Sequence, residues 1–277
     1  MKEKEKAAAA IRYEIEANLH NCVSTFPIRS RGGLDPYAIM CELITKGSCY
    51  GFMIKKVRSW RKGSKGDVLF EMEYSLGRYT LRNMVLESEK KAAEICGVLL
   101  RPEMSPLLKA FVVHRYLLDT VVYDYENYRG EVENPLRNSQ AHSAYGALLK
   151  GRSVCQGIAD AFKMIMDVAG EKCISVIGEA KGGDDNAWGG HAWNLYAVRD
   201  DCYMHIDATF DIGYQKVDKY RYFAKNDLQV KSDHRWKKGL YPDASDNFNA
   251  LWALRKELFG KRRQLRASGV PAKYLRI

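Results

Sequence analysis

The sequence predicts an α+β fold, and three observations carry that prediction. In Gly151–Gly170, the residues Ile158, Ala161, Phe162, Ile165, Met166 and Ala169 recur at three- and four-residue spacing, the signature of a helix with one buried face. The stretches 68–75 (VLFEMEYS), 191–198 (HAWNLYAV) and 202–210 (CYMHIDATF) alternate with the two-residue period of strands. Finally, 277 residues with 46% hydrophobic and 11% aromatic content suffice for one large domain or an ordinary domain with a smaller companion. That composition excludes a mini-protein, a collagen-like chain and a wholly disordered one.

Taken in order, the chain begins with a polar helix over about 2–20, whose Ile11, Ile15 and Leu19 form a narrow apolar stripe that needs a partner. The 29–36 stretch (RSRGGLDP) reads as loop, and Asp35 followed by Pro36 starts a helix through about Thr45. The strand at 68–75 precedes a helix over about 83–96 closed by Gly97, and a strongly apolar helix over about 107–122 follows Pro102 and Pro106. We divide the chain into an N-terminal helical and strand region (1–103), a main domain (104–247) and a basic C-terminal helix or tail (248–277). This last part holds Arg255, Lys256, Lys261, Arg262, Arg263, Arg266, Lys273 and Arg276 against Glu257, and its Leu251, Leu254, Leu258 and Phe259 fit a helix.

With 44 Lys and Arg against 34 Asp and Glu, the net charge is +10, which favours acidic partners without indicating a fold. Nucleic acid is disfavoured as a partner, because no zinc finger, RNA-recognition signature or aromatic-basic repeat accompanies the charge. The most apolar stretch, 107–122, is broken by Lys109, His114, Arg115 and Asp119, so no membrane span is expected. The opening MKEKEKAAAAI lacks the apolar core of a secretory signal, so the expected compartment is the cytoplasm, or outside it if a leader has been removed. Seven scattered cysteines without a C-x-x-C pair indicate thiols rather than a disulfide framework or zinc ribbon, and neither a metal nor another cofactor is expected.

The candidate chemistry starts at Cys155. Ser153 followed by Gln156 satisfies the capping-box pattern, which makes Ser153 the expected cap and sets Cys155 in the first helical turn. There the helix dipole and unpaired backbone N–H groups favour a thiolate. A reactive thiolate needs a base and a group that orients the base. His191, Trp193, Leu195 and Ala197 share one strand face, and Tyr203, His205, Asp207 and Thr209 share another. If a two-residue turn at Asp200-Asp201 closes this hairpin, His191 and Asp207 fall on opposite faces. A three-residue turn, Arg199 to Asp201, or an equivalent bulge pairs Trp193 with Asp207 and brings His191 and Asp207 diagonally together. We expect the latter, with an Asp in the left-handed conformation.

A cysteine at a helix start, then a strand histidine and a strand aspartate, carried by VCQG, HAWN and H-x-D-x-T, resembles the transglutaminase-like (transglutaminase-core) superfamily, with its bacterial members and papain-like fold. The resemblance covers about 107–244 and includes the closing segment 222–244 (YFAKNDLQVKSDHRWKKGLYPDA). It implies a catalytic Cys at a helix N-terminus packed on an antiparallel sheet, with Cys155 as nucleophile, His191 as base and Asp207 as orienting acid. The implied reaction is acyl transfer on amide bonds of proteins or peptides through a thioester, resolved by water (peptidase or amidase) or by an amine (transglutaminase). The papain-type glutamine six residues before the cysteine is replaced by Leu149, so candidate oxyanion donors are the Cys155 N–H, Tyr145 and Gln140, while Gln156 either caps the helix or faces substrate. The glycine-rich 180–190 stretch reads as a connection or a mobile substrate wall, with Trp188 exposed and covering the acyl chain. His205, Asp211 and His234 are expected to be structural. A catalytically silent module binding peptide or cell-wall material in the same groove is the alternative.

Overall fold

The computed structural model describes residues 2–46, 48–62, 66–182, 187–199, 202–214, 218 and 220–277. Ile11, Ile15 and Leu19 of α1 (Lys2–His20) are fully buried, as their spacing predicts. They pack with β1 (Thr25–Ile28), α2 (Pro36–Thr45), β2 (Ile54–Lys62) and β3 (Asp67–Tyr74), the strands forming an antiparallel sheet of order β1-β3-β2. Asp35 caps α2 by accepting the Tyr37 N–H, with Pro36 in the first turn. The inward residues of β3 are Val68, Phe70 and Met72. Strand β2 goes unread in the sequence because Lys55, Lys56, Arg58 and Arg61 put charge on both faces and hide the alternation. It lies at a sheet edge, where such charges deter pairing with other chains.

Helix α3 (Arg78–Leu99) overruns the expected 83–96 at both ends, and Gly97 lies inside it rather than closing it. It stops as the chain approaches Pro102, since the residue before a proline avoids helical angles. Ser105 caps α4 (Pro106–Thr120), whose apolar residues fill the largest core. Short elements follow: β4 (Val122–Tyr123), α5 (Tyr125–Tyr128), α6 (Pro135–Ala141) and β5 (Arg152–Ser153), the last pairing in parallel with β4. Then comes α7 (Cys155–Val168), with Gly170 just past its end at φ +74 in the left-handed region, as expected.

A second antiparallel sheet, of order β8-β7-β6-β9, comprises β6 (Cys173–Gly182), β7 (Ala187–Arg199), β8 (Cys202–Ile206) and β9 (His234–Arg235). Against β7, α7 places Phe162 edge-on to Tyr196 and receives the Asn194 side-chain amide at the Ala159 carbonyl, 3.0 Å away. Trp193, Leu195 and Val176 form a separate cluster with Tyr241 and Ala244. The remaining helices are α8 (Ala208–Tyr214), α9 (Asp227–Val230) and α10 (Ala250–Ala267). Leu254 and Leu258 of α10 are buried, but Phe259 is not: it faces outward. The chain is thus a mixed α and β protein, and among the described residues no helix is long and apolar enough to cross a membrane.

The β7–β8 register follows the expected pairing, Asn194 with Ile206, Leu195 with His205 and Tyr196 with Met204. It is reached through the bulge rather than the three-residue turn: Arg199 pairs with Cys202, and the register shifts between Ala197 and Arg199. Asp200 and Asp201, and the left-handed Asp expected there, lie outside the described residues. Strand β8 ends at Ile206, so the expected strand through 210 is corrected: Asp207 stands at the junction and Thr209 lies in α8.

Candidate active site

Cys155 is the first residue of α7, as expected, but the capping box is not formed. Val154 holds the cap position without a side-chain bond. Pairing of β5 with β4 holds Ser153 in extended backbone, and its Oγ donates to the Ala141 carbonyl at 2.6 Å. Gln156 turns along the helix and donates to Asp160 Oδ2 at 3.0 Å. Gly157 is required by close approach: a Cβ there would overlap Ser153 Oγ and the Ser143 carbonyl.

His191 and Asp207 meet as the register predicts, Nε2 to Oδ2 at 2.7 Å. The His191 ring is also close enough to the Cys155 thiol for each to shift the ionisation of the other. Asp207 divides its two oxygens. Oδ1 accepts the Phe210 N–H at 3.0 Å and caps the start of α8, while Oδ2 faces the imidazole. The His191 ring stacks on Trp193, with centroids 5.7 Å apart and planes 19° from parallel. Trp193 in turn donates its indole N–H to His205 Nδ1 at 2.9 Å, so His205 Nε2 carries the proton that Asp227 accepts at 2.8 Å. Burial lowers the His205 pKa and favours that neutral form, outweighing the opposing pull of Asp227.

A second histidine joins the group. His234, buried on β9, reaches Asp207 Oδ2 through Nε2 at 3.0 Å and Asp233 Oδ1 through Nδ1 at 2.8 Å. It reaches this position because β9 pairs with β6 and delivers it to the carboxylate that holds His191. His205 and Asp211 do remain apart from the thiol: Asp211 pairs with the buried His114 at 2.9 Å.

Electrostatics separate the two ends of the row. Burial pushes the Cys155 thiol up, but the hydrogen bond and positive charge of His191, with the Ala192 backbone N–H, more than offset it, and its pKa is lowered. Burial pulls His191 down, yet Asp207 and then Cys155 raise it to about 10. Burial also opposes ionisation of Asp207, but its two histidines hold it far below the ordinary carboxylate range. The result favours thiolate, imidazolium and carboxylate in sequence.

Beside His191 lies a cavity of about 230 Å³, walled by Tyr123, Tyr125 and Tyr128, by the Gly189–Gly190 backbone and by Phe210. Tyr123 reaches it because β4 pairs it with Ser153, two residues before Cys155. Burial first, and the neighbouring Cys155 second, push the Tyr123 phenol up, so it remains a hydrogen-bond donor. The aromatic-dense YDYENY stretch, Tyr123–Tyr128, is the feature of the sequence that could have found this wall. Tyr145 is not among the lining residues; it is half-buried with Lys150 Nζ 5.4 Å from its ring centre. Trp188 is likewise not among the lining residues. It sits in β7 opposite Lys181, half-buried, with the Arg235 guanidinium 4.3 Å above its ring, because the 180–190 stretch is strand on both described flanks; residues 183–186 lie outside the described set. Gln140 offers its backbone carbonyl to Ser143.

His191, Asp207 and His234 bring potential metal-ligand atoms within 4.8 Å of one another. Both ring nitrogens that face the group already lie at hydrogen-bond distance from the same carboxylate oxygen, an arrangement that protons satisfy.

Residues 94–208 match the family model of the transglutaminase-like superfamily, and the chain carries a transglutaminase-like domain there. Among solved structures, one described as "Crystal structure of a TGase" is 13% identical, covers 56% of this chain and 44% of its own, and has a TM-score of 0.31. At that score the likeness adds nothing to the assignment, and the chain spans less than half the length of that protein. No curated protein matches the chain.

Proposed function

We propose that this protein is a cysteine-dependent enzyme of papain-like arrangement that transfers acyl groups from amide bonds of proteins or peptides. The observation that carries this reading is the His191 ring, hydrogen-bonded to Asp207 at 2.7 Å and coupled electrostatically to the Cys155 thiol, whose pKa it lowers. Cys155 thiolate attacks the amide carbonyl carbon, and the carbonyl π electrons move to oxygen. The Cys155 backbone N–H, at the first position of α7 where the helix itself supplies no partner, serves as donor to the developing oxyanion. As the C–N bond breaks, His191 gives its proton to the leaving amine and a thioester remains. His191, now neutral, takes a proton from water or an acceptor amine as that nucleophile attacks the thioester, which restores the thiolate and imidazolium. Asp207 keeps the ring oriented and stabilises its charged form throughout. The tyrosine-walled cavity beside His191 supplies apolar contact for the acyl donor, with phenol groups available to its polar atoms.

The test is to incubate the protein with a glutamine-rich polypeptide, with and without a labelled primary amine, beside Cys155→Ala. Covalent label identifies transamidation; new peptide ends or a one-dalton gain identify hydrolysis. Either is expected to vanish in Cys155→Ala, and activity that survives that substitution contradicts the proposal.

A further inference from the structure

The outward face of α10 carries exposed aromatic and cationic side chains together. Trp252 is 61% exposed and Phe259 94% exposed. The two are seven residues apart, about two helical turns and roughly 10 Å along the axis, so they stand on one line. Arg255, Lys256, Arg262, Arg263 and Arg266 are all exposed and flank that line within an arc of about 120° by helical geometry. None of these five cations is paired with a carboxylate among the described residues; Lys256 instead lies 5.5 Å from the Trp252 ring centre. The helix does not lack an acid, since Glu257 is present, but it points inward to Ser105 and Lys261. The opposite face, with Leu254, Leu258 and Leu265, is fully buried in the main core, which fixes the cationic face outward.

We propose that this face docks on an anionic phospholipid surface. Five uncompensated positive charges call for a negative partner, and they exclude a second copy of this chain, which would oppose the same charge with itself. The aromatic pair decides between polyanions. Trp252 and Phe259 occupy the middle line of the cationic arc, with the cations to either side. A flat lipid interface takes aromatic rings at the boundary of its acyl region while Arg and Lys reach headgroup phosphates alongside. A nucleic-acid backbone on the same face would set its phosphates against the Phe259 ring, which offers them nothing. The contact is peripheral and reversible, and it concentrates the protein on a membrane without a spanning segment.

The test uses the full chain with two sets of vesicles, pure phosphatidylcholine and phosphatidylcholine with about one-third phosphatidylglycerol, read by co-sedimentation at low and high salt. Binding to the anionic vesicles is expected to exceed binding to the neutral ones by at least tenfold and to weaken with salt. Trp252→Ser with Phe259→Ser, and separately Arg262→Gln with Arg263→Gln and Arg266→Gln, are each expected to weaken it about tenfold while leaving Cys155 alkylation unchanged. These side chains are exposed, so the variants keep the fold, which circular dichroism checks. The proposal is overturned if anionic vesicles do not bind, if both variants bind like the parent, or if a labelled single-stranded oligonucleotide binds where the vesicles do not.

Discussion

His234 Nε2 lies 3.0 Å from Asp207 Oδ2, the same oxygen that His191 Nε2 reaches at 2.7 Å. One carboxylate oxygen therefore accepts from two imidazoles, while its neighbour caps α8. The nitrogen at the far side of His234, Nδ1, lies 2.8 Å from Asp233 Oδ1, so the ring is held between two carboxylates. His234 is a positioning residue in this arrangement: it fixes the carboxylate and shares its charge.

Replacing His234 by Gln should cost about tenfold in kcat/KM, the scale of one charge-assisted hydrogen bond. It should also move the alkaline limb of the pH profile upward. Without the second imidazole, the full charge of Asp207 acts on His191, and a more basic imidazolium persists to higher pH. A pH–rate series on His234→Gln checks this; lost activity with an unmoved limb would show that His234 only supports the fold.

Asp207→Asn separates orientation from capping. The amide oxygen can still accept the Phe210 N–H, so α8 and the fold should stand, with a thermal midpoint close to that of the parent. The amide nitrogen, however, presents hydrogens to two histidines that donate, and the negative charge is gone. We expect kcat/KM to fall on the order of 10³-fold, measured with the substrate that the labelling experiment identifies.

Asp160 gives a stability test remote from the chemistry. Burial pushes its carboxyl up to about 7, against the hydrogen bonds from Gln156 and Ser175. Its folded pKa therefore lies above its unfolded value, and the native state binds the extra proton. The group is least costly below about pH 4 and progressively destabilises the fold as pH rises to about 7. Asp160→Asn should equal the parent near pH 4 and exceed it at pH 8 by a few kcal/mol at most, roughly. Urea unfolding at the two pH values checks the sign.

The helices with a one-sided apolar stripe were legible in the sequence: the Ile11, Ile15 and Leu19 face, the Asp35-Pro36 start and the α7 face all appear where spacing puts them, because local periodicity and caps determine them. The meeting of His191 and Asp207 was legible through register, since a slip of one residue would have separated them. His234 was not. It lies in a strand of two residues, too short to alternate, and its partner is distant in the chain. The capping box at Ser153 failed for the converse reason: a local pattern was overruled by strand pairing with β4. Trp188 and Phe259 show the same limit, since exposure depends on what other elements cover.

The pH dependence of Cys155 alkylation by iodoacetamide, compared between the parent and His191→Ala and read at that residue by mass spectrometry, tests the thiolate–imidazolium pair most directly. The account predicts that alkylation of the parent persists to lower pH than that of an ordinary thiol, with the apparent thiol pKa lowered from the usual 9.0 and returning upward in His191→Ala. An ordinary thiol titration in both proteins would contradict it.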